Sequence, residues 1–418
     1  MPYIKKEQFW KDAYVIEPGS WLGGADHHWV TTIVAELIQE GTGDDARAFS
    51  EDHFDKTKEI IFSLIEEPEE EKEEISDYVF HTLNTPCGKL ITALVYLALR
   101  IARVKEKKGV KNDSRWSEDY RNKFDELLSK KIIDAYTSLG RFLPHLAYLD
   151  KPWITEKIKG MISEPGNRYW AAFFEGYLSV GRVYDDLYEL MIPHYQYALS
   201  YNFKEERNLE HLIQHICIAY LRGREKLDDP EGLFRKLVDE WRPDQIREVI
   251  GFFWMQRDYL KETTEENEKM KGKIIDFWKL VYEKYKSADE APLTREDKQI
   301  LSAVSKLAAF LPKIDSESYL WLMVSSPYVH EDFNSNFFIE YLDELKDMGD
   351  KSETAKYIGE IYLKMLEKIT PDFDQKDIRS VVEFLYNAGA TDSANKICNT
   401  YGARGAEFLR DIYDKHNR

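Results

Sequence analysis

Residues 83–100 read LNTPCGKLITALVYLALR, and the phase of their apolar side chains decides the fold. Leu90, Leu94, Leu97, Ala98 and Ile101 return at steps of three and four, as do Val79 and Leu83 before the break. Such steps place side chains on one face of a helix, whereas a half-buried strand needs strict alternation. Asn84-Thr85-Pro86-Cys87-Gly88 between them is turn chemistry, so the stretch reads as two helices joined by a short turn.

The pattern continues in both directions. A helix is expected through Val30 to Ile38, after an irregular entrance that carries Trp10, Pro18, Trp21, Gly23, Gly24 and Trp29. Residues 54–65 form a short helical candidate, and Glu66 to Glu74 is a glutamate run around Pro68, read as a solvated turn or the start of a surface helix. The lysine-rich stretch 102–118 reads as a loop before a helix carrying Phe124, Leu127, Leu128, Ile132 and Ile133. Helical stretches at roughly 151–162, 168–179, 182–199, 207–222, 231–240, 244–259 and 268–285 are punctuated by Pro165-Gly166, Gly181, Gly223 and Pro243. Beyond the polar segment 286–295 the helical pattern resumes, and Gly349, Pro371 and Gly389 separate the last candidates.

An all-α chain is therefore expected, built of irregular stacked antiparallel helix pairs in a helical-repeat solenoid or superhelix. The repeats lack the strict tetratricopeptide consensus of about 34 residues. Three segments are expected: 1–74 as an N-terminal cap or interdomain segment, 75–290 as a central helical array, and 291–418 as a C-terminal helical-repeat segment.

Composition narrows the function classes. The 76 acidic residues exceed the 58 Lys and Arg, a net charge of −18, which disfavours non-specific attraction to a phosphate backbone. The run Lys105, Lys107, Lys108 and Lys111 is local and lacks interleaved stacking residues, so nucleic acid is not an expected partner. Cys87, Cys217 and Cys398 are too few and scattered for a disulfide framework, which points to a reducing compartment. The start of the chain shows no signal-peptide pattern and Leu90 to Ile101 is too short to span a bilayer, so a cytoplasmic protein without membrane contact is expected.

No catalytic, cofactor or metal site is assigned from the sequence. His27 and His28 beside Asp26 lack a second cluster to complete a metal shell. His211 and His215 share a helical face, but Leu212 stands where an HExxH motif needs glutamate, so inter-helix hydrogen bonding is the better role. Asp185 and Asp186 are adjacent on a helix and do not flank a substrate as a general acid–base pair must. Gly88-Lys89 is followed by Leu90 and lacks the rest of a phosphate loop. Cys217 sits in an apolar stripe, and Cys87 near a helix start has no base beside it. Among the many aromatic residues, Trp21, Trp29, Tyr169, Trp170 and Trp254 are the candidate protein-interface anchors, because rigid aromatic area is presented at low entropy cost.

LNTPCGKLITALVYLALR at 83–100, NRYWAAFFEGYLSVGRVYDDLYELMIPHYQYAL at 167–199 and LEHLIQHICIAYLRG at 209–223 resemble the helical C-terminal regions of large prokaryotic antiphage defence proteins. In those proteins the region is joined to signal-transduction NTPase or NAD-consuming effector domains. The resemblance implies a sensor or scaffold that engages a phage protein and controls attached domains, present here as an excised module or a stand-alone relative. This chain carries neither a complete phosphate loop nor an effector motif, so the expected role is non-catalytic protein recognition. An all-helical metal-dependent hydrolase and a self-associating structural scaffold are the competing expectations.

Overall fold

Thr85 shows how the chain makes its turns. Its hydroxyl caps the next helix by accepting a hydrogen bond from the Gly88 amide at 3.1 Å, and Pro86 occupies the first helical position, where a missing N–H costs nothing. A Cβ on Gly88 would lie 1.9 Å from the Thr82 carbonyl oxygen, so glycine permits the tight elbow between the two helices.

The computed structural model describes residues 27–65, 75–109, 115–161, 164, 166–287, 292–331, 334–373 and 375–417. Among them the chain is all-α and contains no strand. The helices are α1 (His27–Gly43), α2 (Phe54–Leu64), α3 (Tyr78–Asn84), α4 (Pro86–Lys107), α5 (Glu118–Ser129), α6 (Ile133–Arg141), α7 (Leu143–Leu149), α8 (Lys151–Lys159), α9 (Arg168–Leu178) and α10 (Asp185–Ala198). They continue as α11 (Glu206–Leu221), α12 (Leu233–Glu240), α13 (Pro243–Met255), α14 (Glu265–Tyr285), α15 (Arg295–Val304), α16 (Ser316–Ser325), α17 (Ser335–Leu345), α18 (Lys351–Leu366), α19 (Gln375–Asn387), α20 (Thr391–Ala403) and α21 (Arg410–His416). No described helix is long and apolar enough to cross a membrane.

The expected loop at 102–118 begins later than its composition suggested. Helix α4 runs on to Lys107 because Ala102 and Val104 are still buried, while Glu106 and Lys107 beyond them are exposed.

Two compact units divide the chain, Met1–His215 and Ile216–Arg418. In the first, α1 buries Ala35 and Ile38 against α4, and Gln39 donates to the Lys89 carbonyl at 2.8 Å. Helices α6 and α9 cross at backbone contact. A Cβ on Gly140 would lie 1.9 Å from the Phe173 carbonyl oxygen, and one on Gly176 would lie 2.2 Å from that of Thr137. This approach lets Phe173, Phe174 and Tyr177 fill a fully buried aromatic core with Tyr195 of α10.

The second unit is built around stacked rings as well. Tyr220 and Phe234 lie 3.9 Å apart and nearly parallel, beside Phe253 and Phe277, and the Tyr220 hydroxyl donates to the Lys273 carbonyl at 2.8 Å. Further along, the Tyr362 and Tyr401 hydroxyls are 2.9 Å apart in the core, and Tyr401 donates to the Pro371 carbonyl at 2.7 Å. Gly389, with a φ of +86°, ends α19 in the left-handed conformation that side chains disfavour, and Gly349, with a φ of +85°, turns the chain just before α18.

Candidate partner-binding surfaces

The side chain of Asn167 starts α9 by accepting from the amides of Tyr169 and Trp170, each at 3.1 Å. Neighbouring residues on a helix point about 100° apart, so the two aromatics meet different fates. Trp170 is fully buried, stacked on Phe174 at 5.1 Å, with its indole N–H donating to His194 Nδ1 at 3.1 Å. It is a core residue and cannot anchor a partner at the surface, which corrects the expectation for this position.

Tyr169 stays half-buried on the wall of a groove of about 1040 Å³. Its ring rests 4.9 Å from that of Tyr136, whose hydroxyl is tied to the Leu128 carbonyl at 3.0 Å. Lys131 Nζ lies 5.7 Å and the Arg168 guanidinium 5.6 Å from the Tyr169 ring centre. Lys131 itself follows α5 with a φ of 57°, a left-handed conformation unusual for lysine. On the far wall Lys157 and Asp125 form an ion pair at 2.8 Å, and the same carboxylate accepts from the Trp153 indole.

Trp254 in the second unit is half-buried and surrounded. Its indole N–H donates to the Tyr341 hydroxyl at 2.8 Å, Phe337 meets its ring edge-on at 5.0 Å, and Arg257 and Lys306 sit 3.9 and 4.9 Å from its centroid. A cavity of about 400 Å³ adjoins this cluster, lined by Arg257, Lys261, Lys271, Phe310, Tyr341 and Glu344 among others. Trp29 is 56% exposed on α1, in line with Ile33 and Leu37 at helical spacing. Trp21 and Asp26 lie outside the described residues, as does the side chain of His27.

The groups with chemical potential are spent on the fold. His215 Nε2 donates to the Val180 carbonyl at 3.0 Å, which leaves Nδ1 to accept from the Tyr195 hydroxyl at 2.9 Å. Burial pushes the ring pKa down to about 4, so it is neutral and structural. Asp186 pairs with Lys151 at the surface, 2.6 Å away. Burial raises the Cys87 and Cys217 thiols above the ordinary range, away from reactive thiolate. Among the described residues no group of three or more His, Cys, Asp or Glu gathers to hold a metal ion.

Two buried acids escaped the sequence reading. Asp134 on α6, 3% exposed, accepts from the Thr85 hydroxyl at 2.9 Å and lies 3.8 Å from His81 Nε2, and burial raises its pKa. Glu175 on α9 is 2% exposed and burial raises its pKa to about 7, against the pull of the Tyr78 amide and Asn208. A lone acid inside the apolar runs IIDAY and FFEGY is the only signal that marks either one. No family model matches the chain, and no curated protein or solved structure matches it either.

Proposed function

We propose that this chain is a non-catalytic recognition and scaffolding module that senses a phage protein and regulates NTPase or effector domains of a larger antiviral protein. One observation carries the recognition reading: the Tyr136–Tyr169 pair, flanked by Lys131 and Arg168, lines an open groove, with the Tyr136 hydroxyl tied to the Leu128 carbonyl. A ring already fixed by its neighbours loses little entropy on binding, and flanking cations add contacts to an aromatic or acidic surface. The antiviral part of the reading rests on the sequence resemblance at 83–100, 167–199 and 209–223.

The test is capture of proteins by the purified chain from phage-infected and uninfected extracts, followed by direct affinity measurement with the captured protein. A viral protein enriched only after infection, and bound about tenfold or more weakly by Tyr169→Ala at unchanged melting temperature, is the expected result. Equal binding by Tyr169→Ala removes the groove from the interface. Absence of any infection-specific partner removes the sensor role.

A further inference from the structure

The first unit carries a concentration of positive charge that the overall charge of −18 hides. Tyr96, Arg100, Arg103 and Lys107 recur along one side of α4. Three of them converge on one carboxylate, that of Asp45 in the loop after α1: Arg100 at 2.5 Å, Arg103 at 3.1 Å and Lys107 at 2.5 Å. Lys107, with Arg103 and Arg100, holds that carboxyl down to about 2. A loop carboxylate thus already sits where three cations meet.

Arg141, at the end of α6, adds a fourth cation. Its guanidinium is half-buried, 5.1 Å from the Phe142 ring centre, and it makes no ion pair or hydrogen bond with a described residue. Burial depresses its pKa while Tyr96 opposes the shift. The rings bind the pieces into one surface: Phe142 meets Tyr96 at 5.9 Å and His145 at 5.9 Å. His145 in turn feels the charges of both Arg103 and Arg141, which together with burial lower its pKa. Three cations therefore share one carboxylate, and beside them Arg141 is partly desolvated with no ion-paired counter-charge, a costly arrangement unless an anion completes it.

We propose that Arg100, Arg103, Lys107 and Arg141, with His145 beside them, bind a ligand that carries at least two linked phosphate groups. One group takes the place that Asp45 holds against the α4 cations, and the next meets Arg141. Guanidinium forks match phosphate oxygens two at a time, and a linked pair of phosphates supplies the charge that a single carboxylate leaves unmatched. The inference is independent of the protein-recognition reading, because none of these residues lines the Tyr169 groove.

The experiment is calorimetric titration of the full chain with inorganic pyrophosphate, with ADP and with sulfate at fixed ionic strength. Pyrophosphate is expected to bind about tenfold or more tightly than sulfate, and Arg141→Ala to weaken it by about tenfold or more. Asp45→Asn, which removes the competing carboxylate, is expected to tighten binding, a gain that misfolding cannot imitate. Arg141→Lys should restore part of the affinity. Tighter binding of ADP than of pyrophosphate identifies a nucleotide as the source of the diphosphate, and equal binding identifies the diphosphate alone. The proposal fails if pyrophosphate binds no better than sulfate, or if Arg141→Ala and Asp45→Asn both leave its affinity unchanged.

Discussion

Glu175→Gln should change how the first unit responds to pH. The carboxyl is raised from 4.5 to about 7 chiefly by burial. The Tyr78 amide, Asn208 and Lys204 favour its charged form, and Asp77, itself paired with Arg207 at 2.7 Å, opposes it. At about 1.4 kcal/mol per pH unit, the displacement amounts to about 3 kcal/mol. The folded state holds this proton more tightly than the unfolded chain, so between pH 4.5 and about 7 it carries the larger number of protons. Stability must then fall as pH rises through that window and level off above it. Glutamine keeps the shape and removes the proton. Its stability relative to glutamate should therefore rise by about 3 kcal/mol from below the window to above it. Because two compact units need not unfold together, the measurement is amide exchange in α3 and α9 for both proteins across pH, corrected for intrinsic exchange. A difference that stays constant from below pH 4.5 to above pH 7 would show that Glu175 is not protonated on folding.

Other substitutions test the packing. Gly140→Ala forces a methyl into the Phe173 carbonyl and should destabilise the first unit by about 3 kcal/mol, seen as a lower denaturation midpoint for α6 and α9 amides; a neutral effect would refute the close crossing. Thr85→Ala removes both the α4 cap and the hydroxyl that satisfies Asp134, for a loss of about 2 kcal/mol in chemical denaturation, roughly twice that of an ordinary exposed cap. Iodoacetamide should label Cys87 and Cys217 in native protein only at the rate of local opening, measured by mass spectrometry; rapid native labelling would contradict their burial.

Helix positions and their stops were legible because they rest on local chemistry. Thr85-Pro86, Asn167 and Gly389 end or begin helices through their own backbone preferences or caps. The extension of α4 to Lys107 was less legible, since only Ala102 and Val104 mark its buried side among charges. Tyr169 and Trp170 show where local reasoning stops. Both are aromatic neighbours, and only the angular position of the core decides which faces solvent. Glu175 and Arg141 were missed for a related reason. The amide and side chain that meet Glu175 come from Tyr78 and Asn208, and Arg141, beside its neighbour Phe142, is reached by Tyr96 from α4, contacts distant in sequence.

The α6–α9 crossing offers a route to remote relatives. At Gly140 and Gly176 any larger residue must push one backbone away from the other, so drift at these two positions is restrained even where surrounding aromatics are exchanged for one another. A search keyed on this paired absence of side chains, each within an apolar helix, should recognise chains that share the crossing after overall similarity has decayed.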